Sequence, residues 1–169
     1  MKLKLIALSA ALSLGAVAEA KPFKWASAGE ISTWDIHSQN NALQSGIHAA
    51  VYETLVYYNS QTFKLEPVLA TSWTQVSPTQ LRVNLRPGVK FHDGATFTAD
   101  DAAYSIQRAM MPTSNFTPYI QGIDRVVKVN SGTIDIFTKG PNPVLLNQMT
   151  ELRMMSKAWA EKNNSVEPK

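Results

Sequence analysis

The stretch that decides the fold is Leu85-Arg86-Pro87-Gly88-Val89-Lys90-Phe91-His92-Asp93-Gly94-Ala95-Thr96-Phe97-Thr98-Ala99-Asp100-Asp101-Ala102-Ala103-Tyr104-Ser105-Ile106. Arg86-Pro87-Gly88 breaks a strand, because proline offers no N–H to a ladder and glycine is at home in a tight turn. His92-Asp93-Gly94 makes a second turn. Thr98 then caps a helix, and Asp101, three residues on, stands where the acceptor of a capping box belongs. Asp100 and Asp101 in the first turn complement the helix dipole. Ala102, Ile106 and Ala109 continue the apolar face, flanked by Tyr104 and Ser105, and Pro112 stops the helix.

On the upstream side, Leu81, Val83 and Leu85 face one way while Arg82 and Asn84 face the other, the period of a half-buried strand. Short strands are expected over 63–69 and 70–76, with a hairpin loop at Ser77-Pro78-Thr79-Gln80. Earlier still, a strand over 23–28 leads through a polar loop to a helix over about 41–54. Asn41 caps that helix, and Leu43, Ile47, Ala50, Val51 and Leu55 share one face. On the downstream side, runs over 126–130 and 133–137 are joined by Ser131-Gly132, a two-residue hairpin turn. Pro141-Asn142-Pro143 precedes a short helix over 144–149, a strand over 151–156 and a helix over 157–163. The order gives a mixed α/β fold with an antiparallel, β-rich insert.

The first twenty residues read as an export signal. Lys2 and Lys4 precede an apolar run, Leu5 to Val17, and Ala18-Glu19-Ala20 places small residues at the cleavage positions. The run is short for a permanent membrane helix. No cysteine follows it, so a lipoprotein-type anchor is excluded; with no cysteine in all 169 residues, so are disulfides and thiolate metal sites. The expected location is the periplasm. The formal charge of +3 includes the two leader lysines and the remaining basic residues are scattered, so nucleic-acid binding is not expected.

Little catalytic chemistry is legible. His37, His48 and His92 fit no metal spacing, and neither a nucleophile elbow nor a phosphate loop occurs. No catalytic residue, metal site or cofactor is expected. Trp25, Tyr52, Tyr57, Tyr58 and Trp73 read mostly as core packing. Trp34 is different, since it stands in a polar loop beyond a strand end, where open α/β sheets bind ligands. Glu30, Ser32, Thr33 and Asp35 surround it with hydrogen-bonding groups, which makes these five the candidate ligand-binding residues.

Together the segments resemble the extracytoplasmic solute-binding protein family 5, the dipeptide, oligopeptide and nickel-binding proteins of ABC importers. The resemblance is carried by Tyr52-Glu53-Thr54-Leu55-Val56, by Leu65-Glu66-Pro67-Val68-Leu69-Ala70-Thr71-Ser72-Trp73 and by the stretch quoted first. It implies a class II periplasmic-binding-protein-like first lobe. Residues 21–58 would start that lobe, 59–140 would form the insert with one helix, and 141–169 would return to the lobe. It also implies that His92-Asp93 belongs to a scaffold signature, and that the loop holding Trp34 lies beside the ligand cleft. The implied partners are a short peptide or related small solute and an inner-membrane ABC permease, with the protein a monomer. Family members run on into a Thr-Gly-Pro-type segment and a second lobe that closes by a hinge. This chain therefore reads as an N-terminal portion with the second lobe absent. The alternatives are a truncated remnant without transport function and a small secreted hydrolase built on His37 or His92.

Overall fold

The computed structural model describes Lys24, Ala26 and residues 29–169. The leader over 1–20 and most of the strand expected over 23–28 lie outside the described residues. Helix α1 (Ala42–His48) is followed by strands β1 (Val56–Asn59), β2 (Lys64–Pro67), β3 (Ala70–Ser77) and β4 (Gln80–Leu85). Helices α2 (Ala99–Ala109) and α3 (Thr117–Ile120) lead into β5 (Ile123–Asn130) and β6 (Thr133–Thr138), and α4 (Leu145–Met149) and α5 (Lys157–Lys162) complete the order.

All pairings between these strands are antiparallel. β1 and β2 form a two-stranded hairpin, and the other four make a sheet in the order β3-β4-β6-β5. Along β4, Leu81, Val83 and Leu85 are buried and Gln80, Arg82 and Asn84 are partly exposed, the alternation the sequence predicts. The register sets Arg82 opposite Asp135, and the guanidinium meets that carboxylate through two 2.8 Å hydrogen bonds. Arg125, opposite Phe137 on the next pair, lies 4.2 Å over its ring, a cross-strand cation–π contact. The two turns of the first-quoted stretch form where expected, with Gly88 and Gly94 at φ of 76° and 86°, conformations that favour a residue without a Cβ.

Helix α2 packs across β5 and β6. Its capping box is present: Thr98 accepts from backbone N–H groups of the first turn, and the Asp101 carboxylate accepts from the Thr98 N–H at 2.9 Å. Ala102, Ile106 and Ala109 face the core with Leu81, Val83, Phe97, Ile134 and Ile136. Beside them a polar stripe, Asp101, Ser105 and Arg108, is buried as well, and each member holds a different part of the chain's later half. Asp101 accepts from the Lys157 N–H at 2.9 Å. The Ser105 hydroxyl accepts from the Met155 N–H at 2.9 Å and faces its carbonyl at 3.3 Å.

Three expectations need correction. Helix α1 ends at His48 rather than near residue 54, and it buries Gln44 and His48, leaving Ala50 and Val51 exposed. Gln44 and His48, four residues apart, turn inward because both reach the carbonyl of Thr33, which outweighs the apolar stripe. The segment over 151–156 makes one isolated bridge, Thr54 to Arg153, instead of a strand. The Met154 N–H still bonds the Glu53 carbonyl at 2.9 Å, and the backbone groups of Met155 then go to the Ser105 hydroxyl and leave the ladder. Finally, Tyr57 and Tyr58 are exposed on β1 rather than packed in the core.

Candidate functional site

The loop carrying the candidate residues is held from beneath by α1. Ser32 N–H donates to Gln44 Oε1 at 3.3 Å, and Gln44 Nε2 and His48 Nε2 both meet the Thr33 carbonyl, the latter at 3.2 Å. The Thr33 hydroxyl accepts from the Asp35 N–H at 3.0 Å. Trp34 is 55% exposed, yet its ring stacks on His48 with centroids 6.0 Å apart and a 30° interplanar angle. Tyr52 meets the other side of the group, edge-on to His48 at 5.6 Å, and its hydroxyl donates to the Trp34 carbonyl at 3.1 Å. Burial outweighs the Thr33 bond and keeps the His48 pKa below its ordinary value, so the stack rests on a neutral imidazole. The result is a large aromatic surface facing solvent from a pinned backbone.

Asp35 points the other way. Its carboxylate takes Nη1 and Nη2 of Arg108 at 2.8 and 2.6 Å, together with backbone N–H groups of His37 and Lys169, each at 3.0 Å. Burial pushes the Asp35 carboxyl up, but the Arg108 pair and those N–H bonds outweigh it and hold it below its ordinary value. Arg108, 1% exposed, gives Nε to the carbonyls of Ser165 and Val166 and Nη2 also to that of Glu167. Nη1 donates to His37 Nδ1 at 3.3 Å. His37 Nδ1 is therefore an acceptor, and Nε2 carries the hydrogen and donates to the Arg153 carbonyl at 3.3 Å. Burial, with the neighbouring Arg108 charge, lowers the His37 pKa to about 3.

Two cavities lie either side of Tyr52 and Glu53, which line both. One of about 590 Å³ is walled by Tyr57, Tyr58, Asn147, Thr150, Glu151 and Arg153. The other, of about 690 Å³, is walled by Val51, Leu69, Phe91, Phe97, Met154 and Trp159, with Lys90, His92 and Asp93 beside them. Arg153 is 7% exposed; it donates to the Ser45 carbonyl at 2.8 Å, at the C-terminal end of α1, and to the Glu151 carbonyl at 3.3 Å. Its Nε–H has no acceptor among the described residues.

Of the five candidate residues, Glu30, Ser32 and Trp34 are exposed, Thr33 is half-buried, and the Asp35 carboxylate is engaged inside the molecule. Sequence reasoning missed Gln44, His48, Arg108 and Arg153. A signal existed for Arg108, since Asp101, Ser105 and Arg108 fall at i, i+4 and i+7, a polar stripe running beside the apolar one. His37 is fully buried and His92 sits exposed in its turn, where the Gly94 N–H donates to the Phe91 carbonyl and the Ala95 N–H to Asp93. Among the described residues no cluster of three His, Asp or Glu could hold a metal, and no helix is long and apolar enough to cross a membrane.

The fold is shared with solved periplasmic binding proteins. The binding protein AgaA from A. tumefaciens R10, solved with agropinic acid, superposes with a TM-score of 0.74 at 26% identity, over 80% of this chain and 28% of its own. NikZ from Campylobacter jejuni, solved with Ni(L-His), gives 0.70 at 25% identity, over 82% and 28%. The fold is thus the mixed α/β, class II lobe of that group. The model for bacterial extracellular solute-binding proteins, family 5, matches residues 64–168, and the chain belongs to this family. A curated relative, the HTH-type transcriptional regulator SgrR of Escherichia coli O6:K15:H31, is 30% identical over 124 residues, 72% of this chain and 21% of its own length. The chain thus spans about a fifth of the curated relatives and under a third of these solved ones.

Proposed function

We propose that this chain is the first-lobe portion of a periplasmic solute-capturing protein that feeds an ABC importer. It captures a short peptide or a related small solute, and it performs no catalysis. Residues 21–58 and 141–169 belong to the ligand lobe and 59–140 to the insert. Glu30, Ser32, Thr33 and Trp34 form one wall of the cleft, and Asp35 holds that wall to Arg108 from behind. The observation that carries this reading is Trp34, a half-exposed indole on a backbone fixed by Gln44, His48 and Tyr52. Such a surface has already lost its conformational freedom before a ligand arrives, which favours binding. The ligands named for the two solved relatives, agropinic acid and Ni(L-His), are small polar species and support a solute of that size. Calorimetric titration with di- and tripeptides is expected to show saturable binding, weakened about tenfold by Trp34→Ala, the loss of roughly 1.4 kcal/mol of stacking. No binding of any peptide, amino acid or nickel complex would overturn it.

A further inference from the structure

The tip of the β1–β2 hairpin exposes an aromatic ring for which the fold has no use. Phe63 is 75% exposed, the most of any large apolar residue among those described, and it joins no aromatic pair there. Its backbone sits at φ 56°, a left-handed conformation that disfavours a bulky side chain. The turn is nonetheless firmly built. The Asn59 carboxamide accepts from the N–H groups of Gln61 and Thr62 at 2.9 and 3.1 Å and donates to Glu66 at 2.7 Å. Strain and exposure are thus fixed together at one residue, outside the core cluster, and such positions gather where a protein meets something else.

Polarity changes in steps along this hairpin. Ser60, Gln61 and Thr62 beside the ring are exposed and uncharged, and Lys64, in no ion pair among the described residues, is the cation at the tip. Tyr58 and Tyr57, both exposed, stand one and two rungs behind the Asn59–Lys64 pair, roughly 3 and 7 Å back. An apolar ring foremost, phenols behind it and a lysine alongside match the layers of a phospholipid surface: acyl boundary, headgroup zone and anionic phosphate. We infer that this tip is a membrane-contact site, with Phe63 entering the interface of an anionic phospholipid surface, Tyr57 and Tyr58 at headgroup depth and Lys64 on phosphate. One ring gives a weak, reversible contact, which suits a protein that must leave the surface to collect its solute. The contact lies outside the Trp34 surface and rests on the solute-import reading only for having a bilayer close at hand.

An NMR experiment on the full chain tests it, with vesicles of phosphatidylethanolamine and phosphatidylglycerol that carry a spin-labelled lipid. The expected result is broadening of the amide signals of 57–58 and 60–64, with those of α2 unchanged. Phe63→Gly, whose backbone suits the left-handed turn, raises the melting temperature and weakens the contact about tenfold. Lys64→Gln weakens it several-fold, and the difference disappears in phosphatidylcholine. Broadening of 60–64 that persists in Phe63→Gly overturns the inference, as does broadening spread evenly over the chain or none at all. A lower melting temperature for Phe63→Gly overturns it too, since the ring would then serve the fold. Contact seen only with vesicles that hold membrane proteins makes the partner a protein and overturns the lipid reading. The solute titration is untouched by any of these outcomes.

Discussion

At the scale of single residues, Asp35 and Arg108 show how a charge inside a protein becomes a fastener. Arg108 is desolvated, and what makes that tolerable is a bidentate carboxylate, an imidazole nitrogen and three backbone carbonyls. Removing one partner leaves the other buried and uncompensated, which costs far more than the pair contributes as a unit. Asp35→Asn is accordingly expected to destabilise the chain by about 3–5 kcal/mol in urea unfolding. The Lys128–Asp100 pair, 42% and 53% exposed, is the internal control: Lys128→Ala should move the same curve by under about 1 kcal/mol.

At the scale of elements, α2 is the organiser. Its apolar stripe faces the sheet and its polar stripe collects residues 155–167, so loss of its first turn is felt at both ends. Thr98→Ala removes the cap and should cost about 1 kcal/mol. Asp101→Ala removes the box and also the acceptor of Lys157 N–H, and should cost about twice as much in the same unfolding measurement. This helix was legible in the sequence because everything that starts it is local: Thr98, Asp101 and the 102–106–109 spacing. So were the hairpins, whose turns are written in Ser77-Pro78 and Ser131-Gly132. Helix α1 was misjudged because its inward face answers to the Thr33 carbonyl, a partner outside its own window. The strand expected over 151–156 failed for a similar reason, its pairing with residues 53–54 ending where Met155 is diverted to Ser105 fifty residues away. In the candidate loop Trp34 stood out by contrast with its polar neighbours, while nothing local told that Asp35 turns inward to Arg108.

At the scale of the whole molecule, acid acts on this network from two sides. The His37 pKa is lowered to about 3, so between roughly pH 6.5 and 3 the unfolded chain takes up a proton that the folded chain refuses. Stability therefore falls on acidification through that window. The lowered Asp35 pKa adds stability that is present above the ordinary carboxylate range and lost as pH falls through its folded value. Melting temperature is expected to decline steadily from pH 7 to pH 4. His37→Gln, which cannot take a proton, should flatten the decline between pH 6.5 and 4.5 and leave the steeper loss below it. An equal slope in the variant would place the acid sensitivity elsewhere.

The clasp at Arg108 also sets a clock. Asp35 and Lys169 are 134 positions apart and meet at the same carboxylate, with the carbonyls of 165–167 arriving on the other edge of the guanidinium. Closing so long a loop is slow, and its contacts give nothing back until both ends are present. In a chain delivered first end foremost, the Trp34 loop can settle on Gln44, His48 and Tyr52 early, while the Asp35–Arg108 clasp is completed only when residues 165–169 arrive.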